Sequence, residues 1–164
     1  MVITTYTSYD EIRVTVGLSS KELTDTELAE EIYANVLSLA FNSVSVPSTL
    51  GAGTYAAIFA ALPIEASRTT GQQNFYDLTR LFATYTVAYE VCVSLSMRAP
   101  KMIADSKSSL TRFSAEGTFR DVVSRISAKL AEIKASIEDL GSSTVTSLPY
   151  SYVIVPDVDV VTGE

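Results

Sequence analysis

The run QQNFYDLTRLFATYTVAYEVCVSLSM, residues 72–97, constrains this chain more than any other stretch. It contains neither Gly nor Pro, and Phe75, Leu78, Phe82, Tyr85, Tyr89 and Cys92 recur every three or four positions. That spacing places them on one face of a helix, and Leu81, Ala88, Val91 and Leu95 widen the apolar face until little polar surface is left. A helix apolar over most of its circumference belongs in the centre of a bundle. Pro100 removes a backbone donor and clashes with the preceding turn, so the chain must kink or turn near Arg98.

A central helix needs partners, and the flanking sequence supplies them. Residues 118–140 carry Val122, Ile126, Leu130, Ile133, Ile137 and Leu140 on a second helical stripe, with Gly141 as the stop. Upstream, SYDE, SSKE and TDTE are three successive capping boxes, pairing Ser8 with Glu11, Ser19 with Glu22 and Thr24 with Glu27. Starts so closely spaced imply short helices joined by tight corners, with Gly17 ending the first. The third start is expected to open one continuous helix over residues 25–43, with Leu28, Ile32, Val36 and Leu39 on one stripe and Tyr33, Leu37 and Ala40 beside it. TYAAIFAAL fits a short helix or a buried strand, and the helix is preferred; KMIADSKSSLTRFSAEG reads as a short helix plus a loop.

The fold class is therefore mainly α. A small bundle of three to four main helices with two short N-terminal ones fills residues 1–140, and an extended C-terminal arm with strand-like segments fills residues 141–164. In the arm, Tyr152, Val153, Ile154 and Val155 put apolar groups on both faces of an extended chain. Beyond Pro156, Val158 and Val160 alternate with Asp157 and Asp159. A lone strand leaves its backbone groups unpaired and needs a neighbour. The internal candidate is the N-terminal MVITTYTSY, where Val2, Ile3 and Tyr6 look strand-like. The external candidate is strand addition to another chain, with Tyr150, Tyr152, Val153, Ile154, Val155, Val158 and Val160 as the contact residues. Fully extended at about 3.3 Å per residue, the arm reaches at most ~80 Å, enough to cross a subunit boundary.

Composition removes whole classes of function. The chain has no histidine, which takes away the commonest general base and metal ligand. Its single cysteine, Cys92, lies in the apolar run and is expected to pack as a small hydrophobe. The acidic pairs Asp10–Glu11, Glu30–Glu31 and Glu138–Asp139 are adjacent, so on a helix they diverge rather than converge on one reacting atom. LGAGT lacks the spacing and the Lys-Ser/Thr of a phosphate-binding loop. Neither enzymatic activity nor a cofactor or metal is expected.

The net charge is −7 and unevenly spread: residues 1–60 hold seven acids and two bases, 61–140 nine and ten, and 141–164 three acids. Such a chain does not attract nucleic acid from a distance. Arg98, Lys101, Lys107 and Arg112 form the one local basic excess, a possible interface patch or a plain charged surface. Residues 32–64 carry no charge, but serines, asparagines, Pro47 and glycines interrupt that stretch, so no membrane-spanning helix is expected. The N-terminus has no basic and hydrophobic leader.

YTSYDEIRVTVGLSSKELTD, QQNFYDLTRLFATYTVAYEV and MRAPKMIADSKSSLTRF, in this order, resemble the head-to-tail connector proteins of tailed bacteriophages, also called adaptor or head-completion proteins. The likeness covers the helical body, roughly residues 6–140, and rests on order and texture rather than a catalytic signature. It implies a structural virion protein of the neck, made in the host cytoplasm. About a dozen copies, twelve by this resemblance, would form a ring under the portal protein. The ring would help close the DNA-filled head and offer the attachment site for tail or neck proteins. DNA would pass through the lumen without sequence-specific binding, and the arm would engage the portal or a neighbouring subunit. A lumen of acidic subunits would let the duplex slide. The alternative is a free-standing helical binding module or assembly chaperone that captures one partner through its C-terminal strand.

Overall fold

The computed structural model describes the backbone of residues 2–98, 103–105, 108–110 and 115–140, and their side chains outside 96–119. The described chain is mainly helical: α1 (Tyr9–Val16), α2 (Asp25–Leu28), α3 (Glu31–Asn42), α4 (Tyr55–Ala60), α5 (Thr70–Arg98) and α6 (Ala115–Asp139). Between α5 and α6, β1 (Ile103–Asp105) pairs antiparallel with β2 (Ser108–Leu110), setting Ile103 opposite Leu110 and Asp105 opposite Ser108. A short helix was expected there. A ribbon instead lets the chain reverse between α5 and α6 without a third axis to pack.

Helix α5 packs against α6, α1 and α3 and is the centre of the bundle, as its sequence requires. Phe75, Ala83, Val87, Ala88, Val91 and Cys92 along it are wholly buried, while Leu81 lies on the exposed side. Thr69 starts it with a reciprocal cap: its backbone N–H donates to Gln72 Oε1 at 2.9 Å, and its hydroxyl accepts the Gln72 N–H at 3.3 Å. On α6, Ile126, Ile133 and Ile137 are buried, and Leu130 and Leu140 pack against the core beside them. The expected stripe is the one the fold uses.

The core divides in two along α5. Its first half joins Tyr6, Phe41, Tyr55, Phe59, Phe75 and Phe82 to Ile133 and Ile137 near the end of α6. Phe41 stacks on Tyr55 with ring centres 4.5 Å apart, and Tyr6 meets Phe41 edge-on at 4.9 Å. The second half joins Ile3, Ile12, Leu23, Leu28 and Tyr33 to Val87, Val91, Cys92 and Ile126. Tyr85 and Leu130 pack against both halves and join them.

The N-terminal corners follow the capping signals closely. Ser8 and Thr24 each form a complete capping box, with Glu11 and Glu27 respectively. Ser19 and Glu22 form only half of the box: the Ser19 N–H and hydroxyl both donate to the Glu22 carboxylate, at 2.9 and 2.8 Å, while the Glu22 N–H goes to the Ser19 carbonyl, and they close a single turn rather than a helix. Gly17 ends α1 at φ 77°, where its N–H donates to the Arg13 carbonyl at 2.8 Å and Leu18 N–H to the same oxygen at 3.0 Å.

Two expectations fail, each for a physical reason. The strand-like N-terminus is a 3-10 turn, Ile3–Thr5, that drives Ile3 and Tyr6 into the two halves of the core, so it is not a strand available to the arm. The continuous helix over 25–43 is broken: Glu30 is extended at ψ 139°, and α3 restarts after it. At about 100° per residue, Leu28 and Tyr33 would point about 140° apart on an unbroken helix. The break lets both enter the same apolar cluster, with relative exposures of 0% and 6%. It also resets the phase of α3, which buries Tyr33, Leu37 and Phe41 and leaves Ile32 and Leu39 exposed at 53% and 70%.

Candidate functional site

Two polar constellations hold the N-terminal corners to the bundle. In the first, the Thr7 and Thr84 hydroxyl oxygens lie 2.6 Å apart in the interior between α1 and α5. The Thr7 hydroxyl also reaches Glu11 Oε2 at 3.0 Å, Ser8 N–H donates to that oxygen at 3.0 Å, and Arg80 donates to Glu11 Oε1. Burial alone would raise the Glu11 carboxyl, but the Ser8 N–H, the Thr7 hydroxyl and the Arg80 charge together hold it below its ordinary value. Glu11 is thus kept ionised as an acceptor, the opposite of what a proton-donating carboxyl requires.

The second constellation centres on Arg13, a buried guanidinium with 6% relative exposure. Its Nε donates to the Leu23 carbonyl at 2.7 Å, Nη1 to Asp10 Oδ1 at 2.8 Å, and Nη2 to Asp25 Oδ1. One planar fork therefore fastens the end of α1 to the start of α2, with each donor edge used by a different acceptor. Asp10 and Glu11 diverge, as adjacency on a helix demands, and each answers a different arginine.

The remaining interior polar groups are also structural. The Tyr55 hydroxyl lies 2.8 Å from Thr79 Oγ1, and the Thr79 hydroxyl reaches the Phe75 carbonyl at 2.7 Å. Burial pushes the Tyr55 phenol well above its ordinary range, so it stays protonated and neutral. Burial likewise pushes the Cys92 thiol up to about 11, leaving it a small hydrophobe rather than a nucleophile at neutral pH. The Thr86 hydroxyl is buried with no hydrogen-bond partner among the described residues. Arg68 donates to the Pro63 carbonyl at 3.0 Å and lies over the Tyr76 ring, 3.8 Å from its centre.

Neither arginine hub was legible in the sequence. Arg13 and Arg80 look like ordinary surface charges on amphipathic helices, and their partners become evident only once the corners are folded. A faint signal existed for Arg13, which stands three residues after Asp10 and twelve before Asp25 in a stretch otherwise poor in bases.

Of the residues singled out as interface candidates, Arg98 is the last residue of α5. Lys101, Lys107 and Arg112 lie outside the described residues, as do Tyr150, Tyr152, Val153, Ile154, Val155, Val158 and Val160. Among the described residues, no group of three or more His, Cys, Asp or Glu is placed to hold a metal ion, and no helix is long and apolar enough to cross a membrane. No protein-family model, no curated protein and no solved structure matches this chain.

Proposed function

We propose that this chain is a structural component of a phage head-to-tail junction. In this reading it is a connector that assembles as a ring under the portal protein and anchors itself through its C-terminal arm, while DNA passes through the lumen. One observation carries the docking role of the arm. The internal candidate for pairing with it, the N-terminus, is a 3-10 turn whose Ile3, with Tyr6 just after it, is already buried in the core. The only paired strands among the described residues are the three-residue strands of the ribbon. In this reading the apolar SYVIV of residues 151–155 finds its sheet on another chain. The resemblance of the helical body to connector proteins supports the identity of the partner, and an acidic net charge suits a channel that must let DNA slide.

The test is to mix the purified chain with portal protein and image the product. Rings on the portal are expected for the wild type, and their loss is expected for Val153→Asp combined with Val155→Asp, with the helical circular-dichroism signal unchanged. Absence of rings with the wild type would remove the connector reading. Loss of helix signal in the double variant would instead place the arm inside this chain's own fold.

A further inference from the structure

The phase reset at Glu30 leaves α3 with two faces, and the described residues cover only one of them. Tyr33, Leu37 and Phe41 are in the core, whereas Ile32 and Leu39 are exposed, with Asn35, half-buried Val36 and Asn42 on the same side. Ile32 and Leu39 are seven residues apart, as are Asn35 and Asn42, so the uncovered face repeats like a short coiled-coil seam. Beyond Glu31 the helix carries no charge, nor does the chain that follows it until Glu65.

We propose that this face binds a second copy of the same chain, α3 against α3 in antiparallel orientation. Charge selects the occupant and its direction. Two copies at −7 each repel over most of their surface, and the uncharged side of α3 is where they can approach without like charges meeting. A parallel pair would set Glu27, Glu30 and Glu31 beside their counterparts. An antiparallel pair sets them beside the uncharged end at Asn42 and Ser43, where the helix dipoles also oppose favourably. The stripe is self-complementary in that direction: with the two-fold axis between Asn35 and Val36, Ile32 of one copy meets Leu39 of the other. The extended arm is a poorer occupant, because a helix flank offers no backbone groups to pair with a strand.

Such a contact closes on itself and cannot propagate a ring. It is therefore an association of free copies, separate from the proposed function and testable without any portal. A single helix of twelve residues buries less than the roughly 800 Å² per partner of a standard interface, so the dimer is weak and reversible.

Sedimentation equilibrium on the full chain from micromolar to millimolar concentration should show a monomer–dimer equilibrium. Leu39→Glu should weaken it on the order of tenfold or more, whereas Val14→Glu, at an equally exposed site on α1, should leave it unchanged. Asn35→Cys copies should couple to one another with a short bismaleimide, since both stand near the axis. A chain monomeric throughout, or a dimer indifferent to Leu39→Glu, overturns the proposal. So does a Leu39→Cys thiol that reacts faster once residues 141–164 are deleted, because the arm would then be the occupant.

Discussion

The two halves of the core are built from different materials. The half around the start of α5 is aromatic, with six rings contributed by the N-terminal turn, α3, α4 and α5. The half around the end of α5 is mostly aliphatic, with Tyr33 its one buried ring, and its outer wall consists of the short elements between residues 9 and 28. Large rings bury much area from few residues, so the aromatic half can be closed by loops and a two-turn helix with little polar fastening beyond the Tyr55–Thr79 bond and the Arg68 contact with Pro63. The aliphatic half gathers smaller groups from short helices that would not hold alone. There the polar devices accumulate: two full capping boxes, the Gly17 stop and the Arg13 clip. The charged clips concentrate where apolar area is harder to collect, although Arg68 also fixes the Pro63 corner beside the aromatic half.

This contrast can be tested first by cavities. Phe75→Ala in the aromatic half should cost about 3–5 kcal/mol, and Ile12→Ala in the aliphatic half about 2–5 kcal/mol, both residues being 0% exposed. Because Tyr85 and Leu130 touch both halves, a single denaturant transition is expected to shift in each variant. If Ile12→Ala split the transition, leaving the aromatic near-ultraviolet signal in place while helix content fell, the halves would be separate folding units. The caps come next in size. Ser8→Ala and Thr24→Ala should each cost about 1 kcal/mol, whereas Thr54→Ala, whose hydroxyl accepts the Ala57 N–H at a long 3.4 Å at the start of α4, should cost less. Equal losses at all three would show that the aromatic half relies on its caps as much as its neighbour does.

How far the fold could be read from the sequence follows the same division. The central helix and α6 were legible because their apolar stripes run for about five turns each, so a phase error cannot persist. The corner caps were legible because Ser/Thr and Glu three residues apart satisfy each other locally, whatever the rest of the chain does. What misled was α3, where twelve residues of apolar texture fit two phases. The phase was decided by Leu28 and Tyr33 competing for one cluster, a tertiary fact absent from periodicity. The N-terminus misled similarly: Val2, Ile3 and Tyr6 suit a strand, but the aromatic core had a place for Tyr6 and the aliphatic core one for Ile3. The candidate site was less legible, since the hubs at Arg13 and Glu11 depend on partners brought together only by the folded corners.

The smallest effect distinguishes a brace between elements from a bond within a corner. Glu11 and Glu22 are both held below their ordinary carboxyl values. Glu22 is held by the backbone and hydroxyl of Ser19, three residues away, whereas Glu11 also answers Arg80 on the central helix. A carboxyl held low in the folded state binds its proton more tightly when unfolded. Each therefore contributes stability that is fully present above the unfolded value and is lost as pH falls through the lower folded one. The acid limb of a stability-against-pH curve should flatten in Glu11→Gln, measured by urea midpoints through the range below ordinary carboxyl titration. It should flatten less in Glu22→Gln, because local contacts of this kind can persist in part in the unfolded chain and move both states together. A greater flattening in Glu22→Gln would mean that the Arg80 bridge adds little and that the corners owe their acid sensitivity to their caps alone.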